Sequence, residues 1–311
     1  FNNLFVHFFQ LIEGCAMKGY YRFPSIYKNK VVFVADDDLW IVDLKDLESK
    51  RITTNISHIS SPRFSPDGKH IAYIGQEDGN TEVYIVSSNG GESKRLTFDG
   101  GFISKIASWD KNSIIYTSDL NMPFSRISDL RRVSINGGES TALNYGIASN
   151  IAISNNFTVL GRNTSDPARW KRYKGGTAGE LWIDTNNDFS FKKLLNLPGN
   201  MACPMILKNR IFFISDHEGI GNIYSCLKNG QSIKQHTFHK NYYVRNASND
   251  SSSIVYHAGA DIYRFSLKRN KSEKINVVYN SGNNDKSRKC SPTINYLEDV
   301  SLSSNGEFIN I

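Results

Sequence analysis

Five cationic side chains crowd a short stretch near the middle of the chain. Arg162, Arg169, Lys171, Arg172 and Lys174 fall within thirteen positions, against a single acid, Asp166. Arginine can grip a carboxylate through two parallel N–H bonds, and lysine offers a mobile point charge. Such a lip would draw peptide carboxylates. The competing reading is a solvated loop that packs on a neighbouring domain or subunit, a common use of loops on rigid scaffolds. The residues alone leave both readings open.

Other chemistry is harder to build. The seven histidines do not cluster by spacing. His236 and His239 could approach in a turn, but no third ligand stands near, and no metal is expected. The run Asp36-Asp37-Asp38 lacks the glycine and terminal glutamate of a calcium loop. It reads as a turn whose carboxylates bond their own backbone. Cys15, Cys203, Cys226 and Cys290 are widely spaced with no CxxC pair, which argues against a disulfide framework or a thiolate zinc site. They are expected to be buried, reduced thiols. No cofactor motif is present and no cofactor is expected. No nucleophile elbow surrounds any serine, so no catalytic residue is assigned.

The composition fits a folded globular chain. Of 311 residues, 39% are apolar and 22% charged, and the 15 tyrosines and 18 phenylalanines favour strands. The net charge of +7 is spread along the chain. There is no basic helix or nucleic-acid motif, so no nucleic-acid partner is expected. No apolar run is long enough to cross a bilayer as a helix, and no membrane partner is expected. Residues 1–19 read as an N-terminal extension. Its apolar stretch is broken by His7, Gln10 and Glu13 and lacks a basic start, a poor match to a signal peptide. Met17 stands just before the regular pattern, and residues 1–16 read as an upstream stretch or remnant.

That pattern is a sixfold repeat. An acid or amide, an aliphatic and usually an aromatic recur as Asp38-Leu39-Trp40, Glu82-Val83-Tyr84, Asp129-Leu130-Arg131, Glu180-Leu181-Trp182, Asn222-Ile223-Tyr224 and Asp261-Ile262-Tyr263, at intervals of 44, 47, 51, 42 and 39 residues. A closing signature follows each in phase, as in Lys50-Arg51-Ile52-Thr53 and Lys94-Arg95-Leu96-Thr97. The second unit predicts strands over 61–65, 70–74, 82–86 and 93–97. Pro66-Asp67-Gly68-Lys69 forms a tight turn, and Asn89-Gly90-Gly91 a primed hairpin turn. A four-stranded sheet of this length cannot bury both faces alone, and radial packing solves that. The fold class is therefore all-β, a six-bladed β-propeller over 20–278 with a four-stranded antiparallel sheet in each blade.

The phase of the repeats makes every blade contiguous. Closure is then open, with no terminus completing the other's blade, and the first and last blades meet only through side-chain packing. Residues 279–295 have a linker composition. Residues 296–311 resemble the opening of another repeat, as if the parent chain continued into a second propeller. The cationic stretch and the loop at 119–128 each join the second and third strands of their blades, so both project from one face of the ring. Trp40, Trp109 and Trp182 are expected between blades.

Several segments resemble the N-terminal region of the tricorn protease family, archaeal peptidases. They are Asp37-Asp38-Leu39-Trp40, Met122-Pro123-Phe124-Ser125, Gly161-Arg162-Asn163-Thr164, Trp170-Lys171 and Tyr173-Lys174-Gly175-Gly176-Thr177. Ile211-Phe212-Phe213-Ile214-Ser215-Asp216 and Gly221-Asn222-Ile223-Tyr224-Ser225 complete the set. The resemblance covers roughly 20–311, and the insertion in the fourth unit is its most specific part. It implies a six-bladed propeller of the open type, followed in the family by a seven-bladed one and a catalytic half. It also implies a cytoplasmic homo-hexameric serine-type peptidase that cuts short peptides released by the proteasome and works with separate aminopeptidases. The catalytic serine and histidine lie in the half that has no counterpart here, so this chain is expected to be inactive alone and to guide peptides. An arginine pair after blade two helps the family hold the substrate's terminal carboxylate. The matching stretch, from Phe98 to Lys105, has no such pair. Either Lys105 serves alone, or peptides are anchored differently. Arg131-Arg132 lies within a strand and is not the counterpart. The alternative function is a free-standing binding propeller of the TolB type. A channel glycosidase ranks last, because the inner strands carry mostly Ser, Asn, Arg and apolar residues rather than paired carboxylates.

Overall fold

The computed structural model describes residues 19–55, 57–77, 79–281 and 299–310. They form six four-stranded antiparallel sheets in chain order. Blade one is β1 (Arg22–Tyr27), β2 (Lys30–Ala35), β3 (Asp38–Asp43) and β4 (Ser49–Arg51). Blade two is β5 (Ser60–Phe64), β6 (His70–Gly75), β7 (Glu82–Ser87) and β8 (Lys94–Arg95). Blade three is β9 (Ile103–Asp110), β10 (Ser113–Ser118), β11 (Asp129–Ser134) and β12 (Thr141–Ala142). Blade four is β13 (Asn150–Ile153), β14 (Thr158–Arg162), β15 (Glu180–Asp184) and β16 (Lys192–Lys193). Blade five is β17 (Met201–Leu207), β18 (Arg210–Ser215), β19 (Asn222–Cys226) and β20 (Lys234–Gln235). Blade six is β21 (Arg245–Asn249), β22 (Ser253–Ala258), β23 (Asp261–Ser266) and β24 (Lys271–Lys274). The fold is an open six-bladed propeller, as the repeats predict.

There is no single central core. Buried apolar side chains gather into six clusters, one at each seam between successive blades, the sixth joining blade six to blade one. The second strands are covered on both faces and therefore read as unbroken apolar runs, such as Val31-Val32-Phe33-Val34 in β2. The third residue of the repeat signature belongs to the seam with the preceding blade. Trp40 fills the six–one seam, Tyr84 the one–two seam and Tyr224 the four–five seam. Trp40 is fully buried there, whereas Trp109 and Trp182 pack at the edges of their clusters.

The two sequence signatures are halves of one hydrogen-bonded device. In blade one, Thr53 Oγ1 accepts from the Leu39 N–H at 2.9 Å and donates to Asp38 at 2.7 Å. Asp38 also accepts from the Asn55 N–H at 2.8 Å and from Arg51. Blade two repeats this with Thr97, Val83, Glu82 and Arg95, and blade five with Thr237, Ile223 and Asn222. Thr leaves the ladder to make these bonds, which explains why the fourth strand of blade two is two residues long instead of spanning 93–97.

Three local expectations need correction. The Asn89-Gly90-Gly91 turn is not of the primed kind. The Gly90 N–H closes on Ser87 O at 2.9 Å, and only Gly90 and Gly91 have positive φ, so a type I turn is followed by left-handed glycines. Asp36 and Asp37, not Asp38, supply a primed turn, with φ of 48° and 55°. Their carboxylates hold other segments rather than their own backbone, Asp37 taking Arg22 and His58, and Asp36 taking Tyr279. Finally, blades one and six do not meet through side chains alone. Tyr21 N–H donates to Ala260 O at 3.0 Å. Beyond β24 the chain crosses the outer edge of blade one, where Val278 makes a parallel bridge with Glu48 and exchanges bonds of 2.9 and 3.1 Å with Leu47 and Ser49. An outer strand leaves backbone groups unpaired, and this strap covers some of them. Blade one still uses its own fourth strand.

Residues 281–311 form a separate compact unit. Its described part is a small hairpin, β25 (Ser301–Leu302) with β26 (Ile309–Asn310), turning at Gly306 with φ of 73°. The readings placed on residues 1–18 and 282–298, including Cys15 and Cys290, lie outside the described residues.

Candidate functional site

The innermost strands do not run straight past the axis. In four blades the register with the second strand slips at a left-handed residue: Phe23, Ser61, Cys203 and Asn246, with φ of 49°, 53°, 50° and 47°. Each such non-glycine residue costs roughly 1–2 kcal/mol. All four line one narrow cavity on the axis, with a free volume of about 80 Å³. Bulges re-aim side chains, and strain of this kind concentrates where side chains must be presented.

Two cations enter that cavity. Arg63 Nε donates to Ile106 O at 3.1 Å. Lys105 Nζ donates to Asn150 Oδ1 at 3.4 Å and to Thr164 O at 3.2 Å. Burial pushes both pKa values down, and for Lys105 the neighbouring Arg63 adds to the effect. Cys203 faces them. Burial pushes its thiol up, although the two cations pull the other way. It is half-buried rather than buried, whereas Cys226 is fully buried and its thiol is pushed up to about 12.

The fourth-blade loop, 163–179, lies over the neighbouring blades. Asp166, its acid, takes Arg245 of β21, with Nε at 2.6 Å. The Arg172 N–H donates to Asp216 at 2.6 Å, and Asn200 donates to Trp170 O at 2.7 Å, both in blade five. Lys171 sits 5.6 Å from the Tyr243 ring. The five cations are therefore not equivalent. Arg162 is partly buried at the end of β14, stacked 4.4 Å from the Trp182 ring. Arg169, Lys171, Arg172 and Lys174 are exposed. Lys105 is joined to this group from below, through Thr164. Arg131 is elsewhere, buried beside Asp99, Asp129 and Ser140, and Arg132 pairs with Asp110.

Sequence reasoning missed Arg63. Its signal was its place just before the Pro66-Asp67-Gly68 turn at the end of an innermost strand. Alternation alone does not say which face of that strand meets the axis.

Hydroxyl–imidazole contacts exist but do not form a nucleophilic site. Ser225 Oγ lies 2.8 Å from His236 Nε2, whose Nδ1 is 3.3 Å from Asn270. Ser215 lies 2.9 Å from His217. Both serines are completely buried, so a substrate carbonyl has no approach. His239 turns instead to the Tyr256 hydroxyl. No metal-ligating cluster occurs among the described residues.

Residues 18–271 match the tricorn protease N-terminal beta propeller domain. A tricorn protease homolog of Saccharolobus solfataricus is 34% identical over 310 residues, covering 97% of this chain and 28% of the relative. Tricorn protease of Thermoplasma acidophilum is 34% identical, covering 86% of this chain and 26% of that protein. A crystal structure of the tricorn protease superposes with a TM-score of 0.80 at 33% identity, over 86% of this chain and 27% of that one. The chain thus spans about a quarter of the length of these relatives. By the match over most of its length and by the fold, this chain belongs to the tricorn protease N-terminal β-propeller family.

Proposed function

We propose that this chain is a non-catalytic propeller module of a tricorn-like serine-type peptidase. It receives short peptides by their free carboxylates and guides them to or from a catalytic domain. The observation that carries this reading is the loop at 163–179, which is pinned to blades five and six yet holds Arg169, Lys171, Arg172 and Lys174 out to solvent. Exposed lysines and arginines are ordinary on a surface loop, so what supports the reading is their concentration: four solvated cations on one anchored loop whose acid, Asp166, is already committed to Arg245. Family membership favours this over a free-standing TolB-type propeller. On the same reading, the parent acts in the cytoplasm as a homo-hexamer and passes products to aminopeptidases.

The test is to replace Arg169, Lys171, Arg172 and Lys174 together by glutamine. Arg162 is left alone because it also packs on Trp182. Affinity for short acidic peptides should fall at low salt while the melting temperature stays unchanged. Exposed charged contacts are worth roughly 0.2–1 kcal/mol each, so a loss of about 1–3 kcal/mol in all is expected. Equal binding by variant and parent would leave the loop a packing surface.

A further inference from the structure

The cavity on the axis holds two cations and no carboxylate among its described lining residues. Lys105 has only neutral acceptors, Asn150 Oδ1 and Thr164 O, and Arg63 bonds a backbone carbonyl. The nearest acid on the Lys105 side is Asp166, whose carboxylate is engaged by Arg245. Asn150 Oδ1 also accepts from Thr164 Oγ1 at 2.6 Å, which fixes the amide and leaves its Nδ2 group to donate elsewhere. Arg63 and Lys105 are partly buried and face this cavity without a counter-charge, and two like charges held at one place favour an anion between them. The free space of about 80 Å³ leaves room for a small group such as a carboxylate or a phosphate.

We propose that this cavity is an oxyanion site in which Arg63 and Lys105 together hold one carboxylate or phosphate group. Arg63 offers a planar fork and Lys105 a point charge, the complementary pair that oxyanions select. Asn150 Nδ2 supplies a neutral donor beside them. The inference rests on the peptide-handling reading only where the ligand is a peptide terminus. A free phosphate would fill the same site without it.

Cys203 lines the same cavity and reports on it. The experiment follows alkylation of Cys203 by N-ethylmaleimide in the intact chain, mapped by mass spectrometry, with buried Cys226 as the internal reference for folding. The probes are inorganic phosphate, an acetylated dialanine with a free carboxylate, and its C-terminal amide. An oxyanion near saturation should slow modification about tenfold, because alkylation needs the empty site. The amide should leave the rate unchanged. Lys105→Met and Arg63→Met should each abolish protection, and Lys105→Arg, which keeps the charge, should retain it. Protection by phosphate alone supports the site and assigns it a free phosphate. Protection by the free dipeptide alone supports it and assigns a peptide terminus. Equal protection by the amide, persistence in Lys105→Met and Arg63→Met, or no protection by either oxyanion overturns the proposal. The loop substitutions above leave this readout untouched, so the two ideas fail separately.

Discussion

Two seams of the ring solve the same problem with different chemistry. At the six–one seam, the aromatic of the repeat signature is Trp40, packed 4.7 Å from Tyr279, which lies 5.4 Å from Tyr21. At the two–three seam the equivalent position is Arg131. Around it stand Asp99, the Tyr116 hydroxyl at 2.5 Å from Asp99, and Ser140 at 2.9 Å. The aromatic seam gains from area: three rings burying roughly 150–250 Å² each contribute several kcal/mol apiece. The rest of the two–three seam is an apolar cluster like the others, but at this position it gains little net and depends on every partner being present. Its incompleteness shows at Asp129, whose Oδ1 is buried with no hydrogen-bond partner and whose carboxyl is pushed up by burial despite nearby Arg131. Closure of an open ring thus falls on a seam with an aromatic at the signature position and a backbone strap beside it, while the seam with a polar signature position sits inside the continuous chain.

The largest expected effect is at Trp40. Trp40→Ala should cost about 3–5 kcal/mol, read as a lower denaturant midpoint, because Tyr279 and Tyr21 lose their support. Arg131→Ala should cost nearly as much, about 3 kcal/mol or more, by leaving Asp99 and Asp129 without their counter-charge. The contrast sharpens in the repaired double variant. Arg131→Tyr with Asp99→Asn should recover most of that loss, whereas no single polar replacement of Trp40 should. If Arg131→Ala alone is harmless, the polar seam is not a coupled network.

Acid should weaken the six–one seam. His257, buried beside Phe23 and Arg245, is pushed from its ordinary 6.5 to about 4 by burial, with Arg245 adding to the effect. The folded ring is neutral, so the folded state binds fewer protons than the unfolded state between those values. Stability is therefore lost as pH falls through that window, by up to about 3 kcal/mol at about 1.4 kcal/mol per unit. His257→Gln should remove this share of the loss, seen as a smaller fall in melting temperature between neutral and mildly acidic buffer. An unchanged fall would place the acid sensitivity elsewhere.

A smaller effect is expected within blade one. Thr53→Val should cost about 1–2 kcal/mol, since Asp38 and the Leu39 N–H each lose a partner. Blades three, four and six have Asn144, Asn196 and Asn276 where blades one, two and five carry Thr53, Thr97 and Thr237, and Asn144→Ala should cost less. Comparable losses at both positions would mean that the shared device is not what the signature encodes.

Most of the ring was legible because each seam needs the same side chains at the same offsets, and six copies make that need visible. The strap was not. Val277, Val278 and Tyr279 follow the last signature and pair with no periodic partner, so nothing local marks them as bound to Glu48 and Asp36. The candidate site was half legible. Exposed cations on an insertion stand out in a charge count, but Arg63 looks like any strand residue, and Lys105 meets Thr164 only once the bulges turn it to the axis.

The central claim is that the cationic loop at 163–179 recognises free peptide carboxylates. Calorimetric titration of the whole chain with an acetylated acidic tetrapeptide and its C-terminal amide tests it most directly. The free acid should bind several-fold tighter at low salt, and the difference should shrink toward about 0.15 M, where screening acts over about 8 Å. Equal affinity of acid and amide at low salt would contradict it.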